Sequence, residues 1–263
     1  MPTSPPVALS IAGSDNSAGA GAQADLKTFT ALGVYGLTAI TCVVAEVPGK
    51  VSAIAPVPPE VVAEQIRLSL AAYPVVAVKT GMLHSAAVIE AVCAVLEPAR
   101  LALVVDPVMV ATSGAPLLEP DAVAAYRRRL FPLAALVTPN LPEASALWGR
   151  PVGSLDAMRQ AGRSLCASHG CAFLLKGGHL QGEAVDLLVT PQGEEELFSA
   201  PRIAHVATHG TGCTLSAAIT AGLASGKPLK EAVACAKAFV TRAIAGSYRW
   251  NGGETQALNH QAR

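Results

Sequence analysis

The strand-like segments of this chain are apolar on both faces, and that restricts its fold more than any other feature. Val7–Ala12, Leu37–Ala45, Val75–Lys79, Leu101–Asp106, Ala135–Thr138 and Ala172–Lys176 lack the polar alternation of a half-exposed strand. Strands of this kind belong to mostly parallel sheets with helices on both faces. The intervening segments supply those helices at Ala22–Leu32, Pro59–Tyr73, Ser85–Leu96, Ala122–Leu130, Leu155–Ser168, Gly212–Ala224 and Leu229–Gly246. In Pro59–Tyr73, for example, Pro stands at the start and Val62, Ile66 and Leu70 share one face. Ala184–Thr190 and Glu195–Ser199 flank Pro191-Gln192-Gly193 and predict an antiparallel hairpin, and a Gly-rich tail follows the last helix. No linker, low-complexity stretch or internal repeat divides the sequence, so residues 1–263 are read as one α/β domain.

Composition narrows the function classes. Among 263 residues, 19 Lys and Arg balance 19 Asp and Glu, which gives no general attraction to nucleic acid or to an anionic membrane. Any anion must therefore be handled by local chemistry. A chain that is 51% hydrophobic and 14% charged does not have a disordered composition. Its apolar stretches are cut by Glu90, Glu97, Arg100 and Asp106, and later by Lys227, Lys230, Glu231 and Lys237. None reaches the ~20 apolar residues of a spanning helix. Met1–Pro6 has no basic run before its short apolar stretch, so a secretory signal is not expected. Cys42, Cys93, Cys166, Cys171, Cys213 and Cys235 form no CxxC pair and no ligand spacing with His. They are expected to be reduced, buried small hydrophobes of a cytosolic protein, with Cys213 a special case.

Ligands of open α/β sheets bind beyond the carboxyl ends of the strands. The residues at those ends are polar and Gly-rich: Gly13-Ser14-Asp15, Lys79-Thr80-Gly81, Asp106-Pro107, Thr138-Pro139-Asn140 and Lys176-Gly177-Gly178-His179. The first is no dinucleotide fingerprint, because Gly19-Ala20-Gly21 is followed by Ala24 instead of a third glycine. A P-loop is excluded, since Gly-Lys-Ser/Thr does not occur. On pattern alone these glycines fit a tight turn or a ligand loop equally well. Thr208-His209-Gly210-Thr211-Gly212-Cys213-Thr214-Leu215-Ser216 precedes an apolar helix directly. Small residues there let backbone N–H groups converge at a helix N-terminus, an anion site of the kind that steadies charge in phosphoryl transfer. The helix dipole at that end is expected to lower the Cys213 thiol pKa. Asp106, Asn140 and Glu143 suit Mg²⁺ held through waters and phosphate oxygens, although Asn140 and Glu143 fit a helix cap equally well. Lys176 reads as a phosphate ligand or as a solvated strand end.

Together these stretches resemble the hydroxymethylpyrimidine/phosphomethylpyrimidine kinases of thiamine biosynthesis, within the ribokinase-like superfamily. The similarity runs in order through Ala8–Asp15, Gln23–Phe29, Lys79–Leu83, Val105–Met109, Thr138–Ala144, Lys176–His179 and His209–Ser216, and fades in a tail ending Leu258-Asn259-His260. The resemblance implies a three-layer α/β/α sandwich, a homodimer, and ATP with Mg²⁺ as phosphoryl donor. It implies two transfers, to the alcohol of 4-amino-5-hydroxymethyl-2-methylpyrimidine and then to the monophosphate. It places substrate contacts at Gly13, Asp25, Glu46, Met82 and Val108, and ATP or phosphate contacts at Asn140, Lys176 and Thr208. Metal contacts fall at Asp106 and Glu143. The catalytic turn is Gly210, Thr211, Gly212 and Cys213, with Cys213 where many superfamily members carry an Asp base. The first transfer removes an alcohol proton while the second starts from an anionic oxygen, so Cys213 is expected to matter mainly in the first.

The chain departs from the family pattern after the second strand. The usual Gln followed by Asn-Thr is replaced by Glu46-Val47-Pro48. A Gln can accept from the pyrimidine amino group and donate to the ring nitrogen, whereas an ionised Glu only accepts. Two acceptors facing each other in a buried pocket cost ~1–3 kcal/mol. Either Glu46 or the ring nitrogen is protonated on binding, or the acceptor differs, or the loop shifts and leaves Glu46 solvated. Ala18 and Ala22 also stand where Gly and a larger aliphatic residue are usual. Glu46 keeps a pyridoxal/pyridoxine-type vitamin kinase as the alternative acceptor class. A non-catalytic ligand-binding protein on the same scaffold is the alternative of another kind, and Asp106, Asn140, Glu143, Lys176 and the 209–216 motif argue against it. His84, His169, His205 and His260 lack partner spacing and are expected to be surface or packing residues.

Overall fold

A computed structural model describes residues 4–109, 117–119, 121–178, 180, 183–203, 209–253 and 255–262. Thr208, His179 and His205 lie outside the described residues. In chain order the elements are β1 (Val7–Asp15), α1 (Gly21–Ala31), β2 (Tyr35–Val47), β3 (Lys50–Pro56), α2 (Pro59–Ala72), β4 (Val75–Thr80), α3 (Ala86–Leu96) and β5 (Ala102–Val105). Next come α4 (Ala122–Ala125), β6 (Leu136–Val137), α5 (Leu141–Trp148), α6 (Leu155–His169), β7 (Ala172–Gly177), β8 (Ala184–Val189) and β9 (Glu195–Ala200). The chain closes with α7 (Thr211–Ala224), α8 (Leu229–Ala245) and a small hairpin of β10 (Tyr248–Trp250) and β11 (Thr255–Ala257).

The main sheet has the order β3-β2-β1-β4-β5-β6-β7-β8-β9. From β2 to β7 the pairings are parallel, and β3, β8 and β9 add antiparallel edges. Successive strand side chains point to opposite faces, so each apolar strand feeds two cores. Leu9, Ile11, Val78, Val105, Phe173 and Leu175 pack with residues of α2, α3, α5 and α6. Ala8, Ala77, Val104, Leu136 and Leu174 face the other way, toward α1, α7 and α8. The result is the three-layer α/β/α arrangement expected from the apolar strands. In α7 every residue from Thr214 to Gly222 is buried, so this helix is fixed along its length against the sheet and α8.

Three expectations change. The second strand does not end at Ala45 but continues to Val47 and returns through Pro48-Gly49 as β3, for which the sequence carried no strand expectation. The helix expected over Ala122–Leu130 is α-helical only to Ala125. It widens at Tyr126–Leu130 and tightens at Phe131–Leu133, where Pro132 has no N–H to donate, and these wider turns seat Tyr126, Leu130 and Phe131 in the core. Cys42, Cys93, Cys166 and Cys171 are buried thiols, but Cys213 is half-buried and Cys235 exposed. Among the described residues, no helix is long and apolar enough to cross a membrane.

Candidate active site

The parallel order sets the carboxyl ends of β1, β4, β5, β6 and β7 side by side, and α7 begins over them. A cavity of about 640 Å³ opens there. Gly13, Val44, Glu46 and Met82 line it on the β2 side, and Gly178, Asp186 and Lys237 on the β8 side, with Asp106, Lys176 and the first turn of α7 between them.

The β2 side is apolar with one acid. Cys42, Val44 and Met82 are buried together, and Val108 packs against them. Strand alternation sends Val44 and Glu46 into the cavity and leaves Val43, Ala45 and Val47 exposed. The Glu46 N–H donates to Asn16 Oδ1 at 2.6 Å. Glu46 is thus a strand residue facing the cavity, not part of a shifted, solvated loop. Burial and the nearby Asp15 carboxylate raise its carboxyl above the ordinary range, against the pull of His209. Asp15 accepts from the Ser17 N–H at 2.6 Å, the Ala20 N–H at 2.8 Å, Ser17 Oγ at 3.0 Å and His209 Nε2 at 3.2 Å. Burial opposes its charge, yet these donors bring the carboxyl down to about 2. The same hydrogen bond lifts the His209 imidazole above its usual value. An Asp15–His209 ion pair therefore ties the end of β1 to the residues before α7.

Asp106 follows β5 and is 2% exposed. Its Oδ1 accepts from Lys176 Nζ at 2.8 Å and Thr138 Oγ1 at 3.2 Å, and its Oδ2 from Ser216 Oγ at 3.3 Å. Burial favours the neutral acid, but Lys176 and then Lys79 hold it below the usual carboxylate range. Burial likewise opposes the Lys176 charge, and Asp106 and Glu143 restore it. At Gly212 a Cβ would lie 3.1 Å from Lys176 Nζ and 3.7 Å from Asp106 Oδ2, so the backbone of α7 rests directly on this pair. Gly210 is the N-cap, at φ +79°, and offers no side-chain cap to the first turn. A Cβ there would lie 1.8 Å from the Gly19 carbonyl oxygen, so only glycine fits.

Asn140 and Glu143 form a reciprocal cap at the start of α5. The Glu143 N–H donates to Asn140 Oδ1, and the Asn140 N–H to Glu143 Oε2, each at 2.8 Å. Both residues also line the cavity, so the cap and the ligand position coincide. Burial pushes the Glu143 carboxyl up to about 7, with Asp106 adding to the rise and Lys176 opposing it.

Two expected contacts sit differently. The Cys213 thiol is not lowered: burial, with Asp106 and Asp25, pushes it up to about 11 against the pull of Lys79 and a Gly21 N–H. Burial outweighs the helix end. Asp25 is fully buried behind Lys79 and does not line the cavity. Its oxygens accept from Lys79 Nζ at 2.9 and 2.8 Å and from Ser10 Oγ at 2.5 Å. Burial disfavours the Lys79 charge, but Asp25 holds the amine above its ordinary value, and it is Lys79 that reaches the cavity.

Residues 15–258 match the family model for phosphomethylpyrimidine kinase. The chain belongs to the phosphomethylpyrimidine kinase family. It is 47% identical over 256 residues to the hydroxymethylpyrimidine/phosphomethylpyrimidine kinase of Rhizobium meliloti, covering 97% of this chain and 96% of that one. It is 49% identical over 238 residues to the thiamine biosynthesis bifunctional protein of Geobacter sulfurreducens, 90% of this chain but 48% of that protein. The chain thus spans about half the length of the Geobacter relative. Among solved structures, the pyridoxal kinase of Bacillus subtilis in an ADP complex matches with a TM-score of 0.90 at 38% identity, over 98% of each chain.

In this phosphomethylpyrimidine kinase family chain, several site residues escaped the sequence reading. Lys79 was visible as a lysine inside an apolar strand, a placement that demands a buried acid. The Asp15–His209 pair spans 194 positions, and no local pattern reports it. Lys237 donates to Asp186 Oδ2 at 2.7 Å on the β8 side, again across elements. His260, expected to be a packing residue, is buried with Nε2 3.1 Å from Thr214 Oγ1.

Proposed function

We propose that this chain transfers phosphoryl groups from ATP to 4-amino-5-hydroxymethyl-2-methylpyrimidine and then to its monophosphate. The observation that carries the reading is the α7 turn, without a side-chain cap, seated on the Asp106–Lys176 pair inside one cavity. That is a site for anions between two small molecules. Gly13, Glu46, Met82 and Val108 take the pyrimidine, and Asp25 acts through Lys79. The turn Gly210, Thr211, Gly212 and Cys213 takes the moving phosphoryl group with Lys176, and Asn140 and Thr208 serve the nucleotide. Asp106 and Glu143 fit Mg²⁺, since both face the cavity and a cation would offset the burial and the neighbouring carboxylate that raise the Glu143 carboxyl. They would hold the ion through waters, and the ion would supply positive charge at phosphate oxygens. Free thiols accord with a cytoplasmic enzyme. The exposed apolar side of the β2–β3 hairpin accords with a homodimer.

The test measures ATP turnover with the aminopyrimidine alcohol, its monophosphate and pyridoxal side by side. The two pyrimidines are expected to give the higher kcat/KM. A preference for pyridoxal would favour the second reading, which Glu46 and the likeness to a pyridoxal kinase support. Turnover of none would leave a ligand-binding protein. A pH series on the same substrates tests Glu46. Its carboxyl is raised, and only the neutral form donates to the ring nitrogen, so pyrimidine affinity rises as pH falls, by up to about tenfold per pH unit. Glu46→Gln removes that slope, and a flat wild-type profile would reject the protonation account.

A further inference from the structure

Thr214 follows Cys213 in α7 but does not line the cavity. It is fully buried, and its hydroxyl meets His260 from the C-terminal tail at 3.1 Å. In the tautomer protonated at Nδ1, Nε2 accepts the Thr214 hydroxyl proton. The tail that brings His260 here is itself anchored. The Asn259 N–H donates to the Ala243 carbonyl in α8 at 3.1 Å, and Asn259 Oδ1 accepts from Tyr248 Oη and the Gln261 N–H, each at 2.9 Å. Leu258 is buried beside it.

In the first turn of α7, Gly210 provides no side-chain cap and Gly212 has no side chain. Ser216 holds one side by donating to Asp106. Thr214 holds another through His260. A threonine hydroxyl deprived of an outside acceptor turns back to the carbonyl four residues earlier, which bends the helix. That carbonyl belongs to Gly210 and already accepts the Thr214 N–H at 2.9 Å.

We propose that His260 is a positioning residue, which accepts the Thr214 hydroxyl proton and thereby holds the Gly210–Cys213 turn in place over Asp106 and Lys176. The inference rests on the phosphoryl-transfer reading of that turn. It assigns a task to a tail motif that the catalytic residues leave unused.

The experiment compares His260→Leu, His260→Gln, Thr214→Val, Thr214→Ser and the remote anchor variant Tyr248→Phe. Steady-state kinetics with ATP and the aminopyrimidine are measured along with ADP affinity by calorimetry and thermal melting. His260→Leu and Thr214→Val are expected to lower kcat by ~10- to 100-fold and raise the KM for ATP, with the acceptor KM within about twofold. His260→Gln keeps an acceptor and a donor, Thr214→Ser keeps the hydroxyl, and both are expected to recover most of the rate. The double variant His260→Leu/Thr214→Val is expected to be no worse than either single one, because both remove the same bond. Tyr248→Phe removes one anchor of the tail and is expected to lower kcat in the same direction but by less. Wild-type kcat and KM in His260→Leu, whatever its melting temperature, would overturn the proposal, as would a loss that follows only the folded fraction. Should His260→Leu fail to fold, Thr214→Val decides, since it removes only the hydroxyl. A wild type that turns over no acceptor would overturn the proposed function instead, and the ADP affinities of the same variants would then decide the His260 inference.

Discussion

Cys213 sits among charges of both signs, and burial decides its protonation. Burial, Asp106 and Asp25 hold its thiol at about 11, so at neutral pH the group carries its proton. In the proposed function it serves the alcohol as a base through a minority thiolate, and that fixes the sign of the expected pH effect. Between pH 7 and 9 the first transfer is expected to quicken by up to about tenfold per pH unit, because the active form is the deprotonated one. The second transfer starts from an anionic oxygen and lacks that slope. Cys213→Ala is expected to slow the first transfer by ~100-fold and the second by less than about tenfold, with the rise in pH profile gone. Rapid-quench measurement of each transfer alone checks this, and equal losses in both would defeat it. The dipole effect on Cys213 was visible in the sequence because the helix start is local. The opposing Asp25 and Asp106 come from α1 and the end of β5, and nothing near residue 213 announces them. The rim residues were legible for the converse reason: polar groups directly after apolar strands have one place to go.

At the scale of elements, the start of α7 and its end offer a matched comparison. Gly210 at φ +79° and Gly226 at φ +78° both hold the left-handed conformation. Replacing either with Ala costs roughly 1–2 kcal/mol of backbone strain. Only at Gly210 does the new Cβ meet backbone, 1.8 Å from the Gly19 oxygen, whereas nothing lies within 4 Å at Gly226. Gly226→Ala is therefore expected to lower the melting temperature and leave kcat within about twofold, strain being its only cost. Gly210→Ala is expected to lower kcat/KM by ~100-fold or more, because the turn and the β1–α1 loop must separate. Melting curves and steady-state kinetics on the pair check the contrast, and equal kinetic losses would show that the close approach to Gly19 is not what matters. Element boundaries were legible where periodicity is long, as in α6 and α8. β3 was not, because its Lys50–Pro56 run is short, mixed and half-exposed, and its strand character comes from pairing with β2. That pairing turns Glu46 from a loop residue into a cavity residue.

Over the whole molecule, equal numbers of acidic and basic residues give no net charge to gather phosphates. The positive groups at the cavity are Lys79, Lys176 and Lys237, each paired with a buried carboxylate, His209, paired with Asp15, and Arg202, which donates to the Gly178 carbonyl. Such pairing positions charge without creating a long-range field, so association is expected to depend little on salt. The surface feature that remains is apolar. Val43 and Val47 are each 53% exposed on β2, beside exposed Ala45 and the exposed Ala53 and Ala55 of β3. Covering this stripe with the same stripe of a second copy removes it from water and closes an isologous pair. Val43→Asp sets two carboxylates against each other at such an interface, so on the proposed homodimer the wild type is expected to elute at twice the chain mass and the variant as a monomer. The opposite face of the same strand carries Val44 and Glu46 into the cavity. Splitting the proposed dimer is therefore expected to raise the acceptor KM by several-fold, the hairpin having lost its support, while the KM for ATP stays near its wild-type value. Light scattering coupled to gel filtration, with kinetics on the same samples, tests both halves. A Val43→Asp protein that remains dimeric would remove this face as the interface, and a monomer with an unchanged acceptor KM would uncouple assembly from the site.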